Sequence, residues 1–191
     1  VLAIEGPLPP GCLQTIWQDN ARFVRTYWNS FAGKLIYNSF DLATRDADGY
    51  YFILGRTDEV INVASHRLGT REIEESLCSH PAVAEAAVVG VFDDIKGQVP
   101  HAFVVPRDPT HVTGRLERIA LAAELVQVVE QQLGSVARPA SIHLVKTLPR
   151  TRSGKVLRRV IQAVCEGRDP GDVSTMENAS ALRQLKDAMA G

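Results

Sequence analysis

The residues best suited to chemistry fall in two stretches. The first runs from Gly55 to Glu75, GRTDEVINVASHRLGTREIEE. Gly-Arg and Asp58-Glu59 precede a β-rich run, Val60-Ile61-Asn62-Val63. Ser65-His66-Arg67, a Gly69-Thr70 stop and an acidic helix start follow. The pattern is a strand, a polar loop and a helix. Arg67 and the free N–H groups of the helix end would favour an anion there. A solvated surface connection would have the same spacing. The second stretch, residues 150 to 159, holds Arg150, Arg152, Lys155, Arg158 and Arg159 and no acid. Its Ser and Gly permit a tight, exposed backbone. A lysine is a compact, mobile charge, suited to a phosphate and a carboxylate being brought together. A solvated basic face before a helix is the competing reading. A Walker A loop is excluded, because Val156 follows Lys155 and the upstream glycine is missing.

These stretches need elements to hold them. At 191 residues, with 45% hydrophobic residues, the chain can bury a real core. A net charge of -1 argues against nucleic-acid or membrane-surface partners, which call for a basic excess. Cys12, Cys78 and Cys165 are odd in number and far apart, with no C-x-x-C spacing. Neither zinc nor a disulfide framework is suggested, and reduced cytoplasmic thiols are the simplest reading. The chain opens Val1-Leu2-Ala3-Ile4, without the pattern of a signal peptide. It reads as starting inside a sheet, as part of a longer protein. The longest apolar run, Ala86 to Phe92, is too short to span a bilayer.

Phe23, Tyr27 and Phe31 share a helical face. Leu35-Ile36-Tyr37 reads as a strand ending at Asp41. Asp46-Ala47-Asp48-Gly49 marks a hairpin, with Tyr50 to Leu54 returning. Thr70 is the expected N-cap of a helix with Ile73 and Leu77 inward, and its glutamates suit the first turns. Ala82 to Val91 and Ala102 to Val105 read as an antiparallel pair. Leu116 to Leu133 reads as a long helix packed through Ile119, Ala122, Val126, Val129 and Leu133. A third strand, Ile142 to Val145, leads into the Lys155 loop, and Leu157, Val160, Ile161 and Val164 face inward on the helix beyond it. Ser174-Thr175-Met176-Glu177 has the spacing of a capping box before a terminal helix.

Three motifs in order carry a resemblance. Tyr37-Asn38-Ser39-Phe40-Asp41 is similar to the Y-x-[ST]-x-D motif of acyl-adenylate-forming enzymes, the acyl-CoA synthetase superfamily. The Gly55 to Glu75 stretch resembles that family's hinge and core motif. Leu148 to Lys155, LPRTRSGK, resembles its P-[KR]-T-x-S-G-K motif. Leu68 to Glu75 and Cys165 to Asp172 look like the propionate-activating branch rather than the acetate branch.

The resemblance implies an α+β fold: a small C-terminal domain, residues 58 to 191, with a three-stranded, mainly antiparallel sheet flanked by helices. Residues 168 to 191 would form its terminal turn and helix. Residues 1 to 57, with five basic and five acidic residues, would be a β-rich remnant of the large ATP- and acyl-binding domain. Asp58 would be the hinge on which the small domain swings between two reactions. The implied enzyme is an AMP-forming acid–thiol ligase. A carboxylate, propionate by the closest branch, attacks ATP to give acyl-AMP and pyrophosphate, and CoA then takes the acyl group. Asp41 would accept from the ribose hydroxyls, since a carboxylate is acceptor-only. Arg56 and Arg67 would contact nucleotide ribose and phosphates, although Arg56 also suits a surface ion pair. Lys155 would stabilise the adenylation transition state and would be a target for a lysine acetyltransferase and deacetylase. ATP or AMP, CoA and Mg2+ are the implied cofactors, with magnesium held outside these 191 residues and no metal ligand assigned within them. Two departures bear on CoA. Ser65 stands where the family usually has glycine, beside the pantetheine path. Glu130 stands where acetate-type relatives place an arginine for the CoA 3′-phosphate. A non-catalytic nucleotide- or CoA-binding module of the same fold is the alternative function.

Overall fold

A computed structural model describes residues 1 to 190, apart from the side chains of Asp58 and Ala190. The chain divides into two compact units, with the division between Glu59 and Val60.

The first unit contains β1 (Ala3–Glu5), α1 (Asn20–Tyr27), β2 (Ile36–Asn38), β3 (Asp41–Arg45) and β4 (Tyr51–Arg56). It has two separate two-stranded antiparallel sheets, β1 with β2 and β3 with β4. The Asp46 to Gly49 turn forms as its sequence demands. Asp46 Oδ1 accepts from the Tyr50 N–H at 2.8 Å, and Gly49 takes φ +93°. The expected single strand into Asp41 is broken instead. Phe40 turns to φ +63°, so Asp41 opens β3. An aromatic cluster fills the space beside it: Tyr27 stacks on Tyr37 at 5.2 Å and meets the Phe40 ring edge-on at 5.9 Å. Helix α1 ends at Tyr27, short of Phe31, and buries only Phe23.

The second unit begins with β5 (Val60–Val63) and β6 (His66–Gly69), followed by α2 (Thr70–Cys78), β7 (Val83–Asp93) and β8 (Gly97–Pro106). It continues with α3 (Arg115–Leu133), β9 (Ser141–Leu144), α4 (Arg158–Cys165) and α5 (Ser180–Ala190). The α+β class holds, but the sheet has five strands rather than three. Its order is β6-β5-β8-β7, with β9 parallel to β8 and the other pairings antiparallel. The two extra strands are a hairpin in the stretch read as strand and polar loop. Val63 pairs with His66, and Ala64 and Ser65 turn between them at φ +45° and +71°. Two positive φ values make the tight turn whose twist suits a hairpin, normally signalled by Asn-Gly. Ala-Ser carries no such signal.

The core lies on both faces of this sheet. Ile61, Val63, Ile73, Leu77, Val88, Val104, Leu125 and Val129 pack on one side. Phe103, Val145, Leu148, Ile161, Val164 and Leu185 pack on the other. Helix α3 is rotated from the expected face: Leu121, Leu125 and Val129 are buried, whereas Ile119 is 55% exposed. Both stripes repeat at helical spacing, and the more continuous leucine stripe takes the core. At α2 the cap is Gly69, without a side-chain bond, and Thr70 is the first helical residue, buried. The expected capping box at Ser174 does not form. Asn178 Oδ1 instead accepts from the Ser180 N–H at 3.0 Å at the start of α5.

Candidate functional site

The Lys155 loop is a closed hairpin built from backbone bonds. Arg150 bridges to Val156, and the Leu157 N–H donates to the Pro149 carbonyl at 2.8 Å. Within it the Thr151 N–H donates to the Lys155 carbonyl at 2.8 Å, and the Lys155 N–H returns to Thr151 Oγ1 at 3.1 Å. Gly154 sits at φ +84°, where a side chain would be strained, and donates to the Thr151 carbonyl at 2.8 Å. The Lys155 backbone is thus tied at both polar groups. Its side chain is exposed and has no hydrogen-bond or ion-pair partner among the described residues.

The other cations of the loop divide in a way that composition did not reveal. Arg150 is occupied by two loop and sheet acceptors, described below. Arg158 forms a two-pronged pair with Glu74, whose carboxylate oxygens lie 2.7 to 3.1 Å from its guanidinium nitrogens. Glu74 Oε1 also accepts the Val88 N–H at 2.8 Å, so α2, β7 and α4 meet on one carboxylate. Arg159 binds the carbonyls of Pro170, at 2.8 Å, and Asp172. Arg158 and Arg159 therefore hold the fold, while Arg150 holds the loop itself. In sequence Glu74 is one of three glutamates that suit the helix dipole in the first turns, and nothing in its type sets it apart as a structural residue. Its spacing from Thr70 and Leu77 was the usable signal, since all three are buried on one face of α2.

Arg67 lies on β6 opposite Asn62 and is exposed. Leu68, opposite Ile61, packs on the core, so alternation along the strand turns Arg67 outward. Ser65 occupies the second position of the turn just before it. His66 Nδ1 lies 3.1 Å from the Ala64 carbonyl, a bond within the turn.

In the first unit Asp41 and Arg56 face each other across the β3–β4 pair, with 3.7 Å between Oδ1 and Nη1. The Arg56 guanidinium also lies over the Phe40 ring, 5.9 Å from its centre. The ion-pair reading of Arg56 is therefore realised, with Asp41, another of the three expected nucleotide contacts, as its partner. Both side chains remain about one-third exposed. Asp58 lies in a single 3-10 turn, Thr57–Glu59, between β4 and β5; its side chain lies outside the described residues. No group of three His, Cys, Asp or Glu able to hold a metal occurs among the described residues. Glu130, at the end of α3, is paired with Arg138 at 3.9 Å.

Within the second unit, an exposed lysine stands on a fixed hairpin and an outward arginine on an edge strand, and each leaves a positive charge open to an anion. Residues 72–155 match the AMP-binding enzyme C-terminal domain. Those residues of the chain belong to that domain family. Among its relatives, the propionate–CoA ligase of Escherichia coli (strain K12) is 57% identical over 99% of this chain and 30% of that protein. The acetyl-coenzyme A synthetase of Pyrobaculum aerophilum is 48% identical over 98% of this chain and 27% of its own length. The chain thus spans about three-tenths of the length of the curated relatives it matches. Among solved structures, o-succinylbenzoate CoA synthetase from Bacillus subtilis, with its acyl-adenylate intermediate OSB-AMP, is 32% identical. It aligns with a TM-score of 0.56 over 68% of this chain and 24% of that one. The anthranilate CoA ligase AuaEII in complex with anthranoyl-AMP aligns with a TM-score of 0.60 at 29% identity, over 70% and 25% of the two chains.

Proposed function

We propose that this AMP-binding domain serves a short-chain acyl–CoA ligase acting on propionate. The carboxylate attacks the α-phosphate of ATP to give acyl-AMP and pyrophosphate. The CoA thiol then attacks the acyl carbon and releases AMP. In the first step negative oxygens converge, and a positive charge already in place lowers the cost of that convergence. Lys155 supplies it. The observation that carries this reading is a free ammonium on a backbone tied at both ends. Arg67 adds an outward charge for nucleotide phosphates, and Asp41 accepts from ribose hydroxyls. Mg2+ would neutralise phosphate charge when bound, held by groups beyond these residues. Asp58 is the pivot between the two half-reactions. Lys155 is also the natural target of a lysine acetyltransferase, since acetylation removes the charge it brings to the first step. The site of action is the cytoplasm, in keeping with three free cysteines and with no helix long and apolar enough to cross a membrane among the described residues.

The test separates the half-reactions in the full-length ligase. Lys155→Ala should reduce propionate-dependent pyrophosphate exchange by at least about a hundredfold, as loss of one charge-stabilising donor does. Thioester formation from supplied propionyl-adenylate should change little. Equal losses in both halves would mean that Lys155 holds structure rather than charge.

A further inference from the structure

The strongest unassigned arrangement lies under the Lys155 loop rather than on it. Arg150 sits at the base of the hairpin and uses its guanidinium as a fork. Nη1 donates to the Gly154 carbonyl at 2.6 Å, the peptide group that leads into Lys155. Nη2 donates to Glu85 Oε2 at 2.6 Å, on β7. One prong fixes the top of the loop and the other fixes the loop to the sheet. A second set of bonds comes from the segment before α5. The Glu177 N–H donates to the Arg150 carbonyl at 2.9 Å, the Arg152 N–H donates to the Thr175 carbonyl at 3.3 Å, and Thr151 bridges to Met176. Residues 175 to 177 therefore lie across the outer edge of the hairpin as a short extra strand.

We propose that Arg150 and Glu85 are positioning residues for Lys155, and that the 175–177 strap completes the mount. The inference rests on the function proposed above for Lys155. Its physical content is geometric. A bidentate guanidinium joins two acceptors at a fixed angle, which an ammonium on a flexible stem does not reproduce. Without the fork, the peptide between Gly154 and Lys155 keeps the Thr151 Oγ1 bond to its N–H but loses the clamp on its carbonyl. The Lys155 ammonium is then delivered to a wider volume. A displacement of about 1 Å in a group acting on the transition state can cost on the order of a hundredfold in rate. Arg150 thus acts through Lys155 and needs no contact with substrate.

The experiment uses the full-length ligase with ATP, propionate and CoA, and measures the half-reactions separately. Arg150→Lys keeps the charge and removes the fork. Pyrophosphate exchange should fall by about ten- to a hundredfold. Thioester formation from supplied propionyl-adenylate should stay within about twofold, with an unchanged thermal midpoint. Glu85→Ala should lower exchange, and Glu85→Gln, which keeps an acceptor for Nη2, should restore most of it. Lys155→Ala is run alongside. If Lys155→Ala abolishes exchange while Arg150→Lys and Glu85→Ala leave it at the parent rate, the positioning role is wrong and the catalytic reading stands. If Lys155→Ala itself leaves exchange intact, the catalytic reading falls first. If Arg150→Lys lowers both half-reactions equally, together with the thermal midpoint, Arg150 is merely structural and the proposal is overturned.

Discussion

Glu74 and Arg158, 84 positions apart in the chain, form one ion pair whose acid also holds the Val88 N–H of the edge strand β7. The Glu74 residue is 9% exposed. Removing the acid alone takes the two-pronged acceptor away from the Arg158 guanidinium and leaves the Val88 N–H without the Glu74 oxygen it bonds.

Glu74→Ala should therefore destabilise the second unit by about 3 kcal/mol, within the range for breaking a buried pair. Replacing both partners, Glu74→Leu with Arg158→Met, should recover part of that loss, because no charge is left unpaired. Chemical denaturation of the three variants measures both effects. A single variant within about 0.5 kcal/mol of the parent would show that the pair is dispensable.

Ser65→Gly tests two roles at once. Ser65 lies at φ +71°, where an L side chain is disfavoured by about 1 to 2 kcal/mol and glycine is not. Glycine loses part of that advantage through its freer unfolded chain, so the variant should be more stable by about 0.5 to 1 kcal/mol. The second role is the pantetheine path. If the serine side chain also intrudes there, the KM for CoA falls in the full-length ligase while pyrophosphate exchange stays constant. A stabilised protein with unchanged KM would assign the position to the turn alone.

Asp58→Pro should lock the hinge. Proline fixes φ and removes the N–H at a position that must change dihedrals between the two steps. One half-reaction should survive and the other fail. If both proceed at the parent rate, the pivot lies elsewhere.

The 191-residue chain alone should not form propionyl-CoA. The expected nucleotide contacts are divided between two units, and by resemblance the triphosphate loop and acyl pocket are missing from this sequence. Incubation with ATP, propionate and CoA should yield no AMP above background, whereas turnover at the rate of a complete ligase would refute the reading.

A histidine pair gives a pH dependence of stability. His143 Nδ1 lies 3.2 Å from the Ala188 carbonyl on α5, and His143 Nε2 lies 3.5 Å from His101 Nδ1. Burial pushes both imidazoles below their ordinary value of 6.5, and His143 pushes His101 further down. Protons then bind the unfolded chain more readily. Stability from the pair is complete above pH 6.5 and is lost as the pH falls from there toward the depressed folded values. The thermal midpoint should drop between about pH 7 and pH 5, and replacing both histidines by Gln should flatten that drop.

Much of this architecture was legible in the residues. Long periodic segments such as α3 and β7, and punctuated turns such as Asp46 to Gly49, declare themselves through local chemistry. The failures share a cause. The Ala64–Ser65 turn adopts a conformation its residue types do not advertise, so two strands were read as one strand and a loop. Helix α3 carries two apolar stripes, and only packing chooses between them. Glu74 reads as a solvated acid until α4 brings Arg158 to it. The Ser174 capping box fails because residues 175 to 177 are taken up in bonding to the Lys155 hairpin. The motif points to Lys155, but the distinction between its free ammonium and the occupied guanidinium groups of Arg150, Arg158 and Arg159 depends on contacts that span the chain.

The closed hairpin beneath Lys155 has a thermodynamic consequence for any anion that binds there. Ordering a free backbone costs roughly 1 to 2 kcal/mol per residue, so fixing a floppy loop of four residues on binding would oppose capture by about 4 to 8 kcal/mol. Here the backbone is already ordered when the unit folds, through Thr151, Gly154 and the strap. Only the lysine side chain remains to be immobilised, at about 2 kcal/mol. The stability of the folded unit is in this way converted into affinity for the state in which charge is greatest.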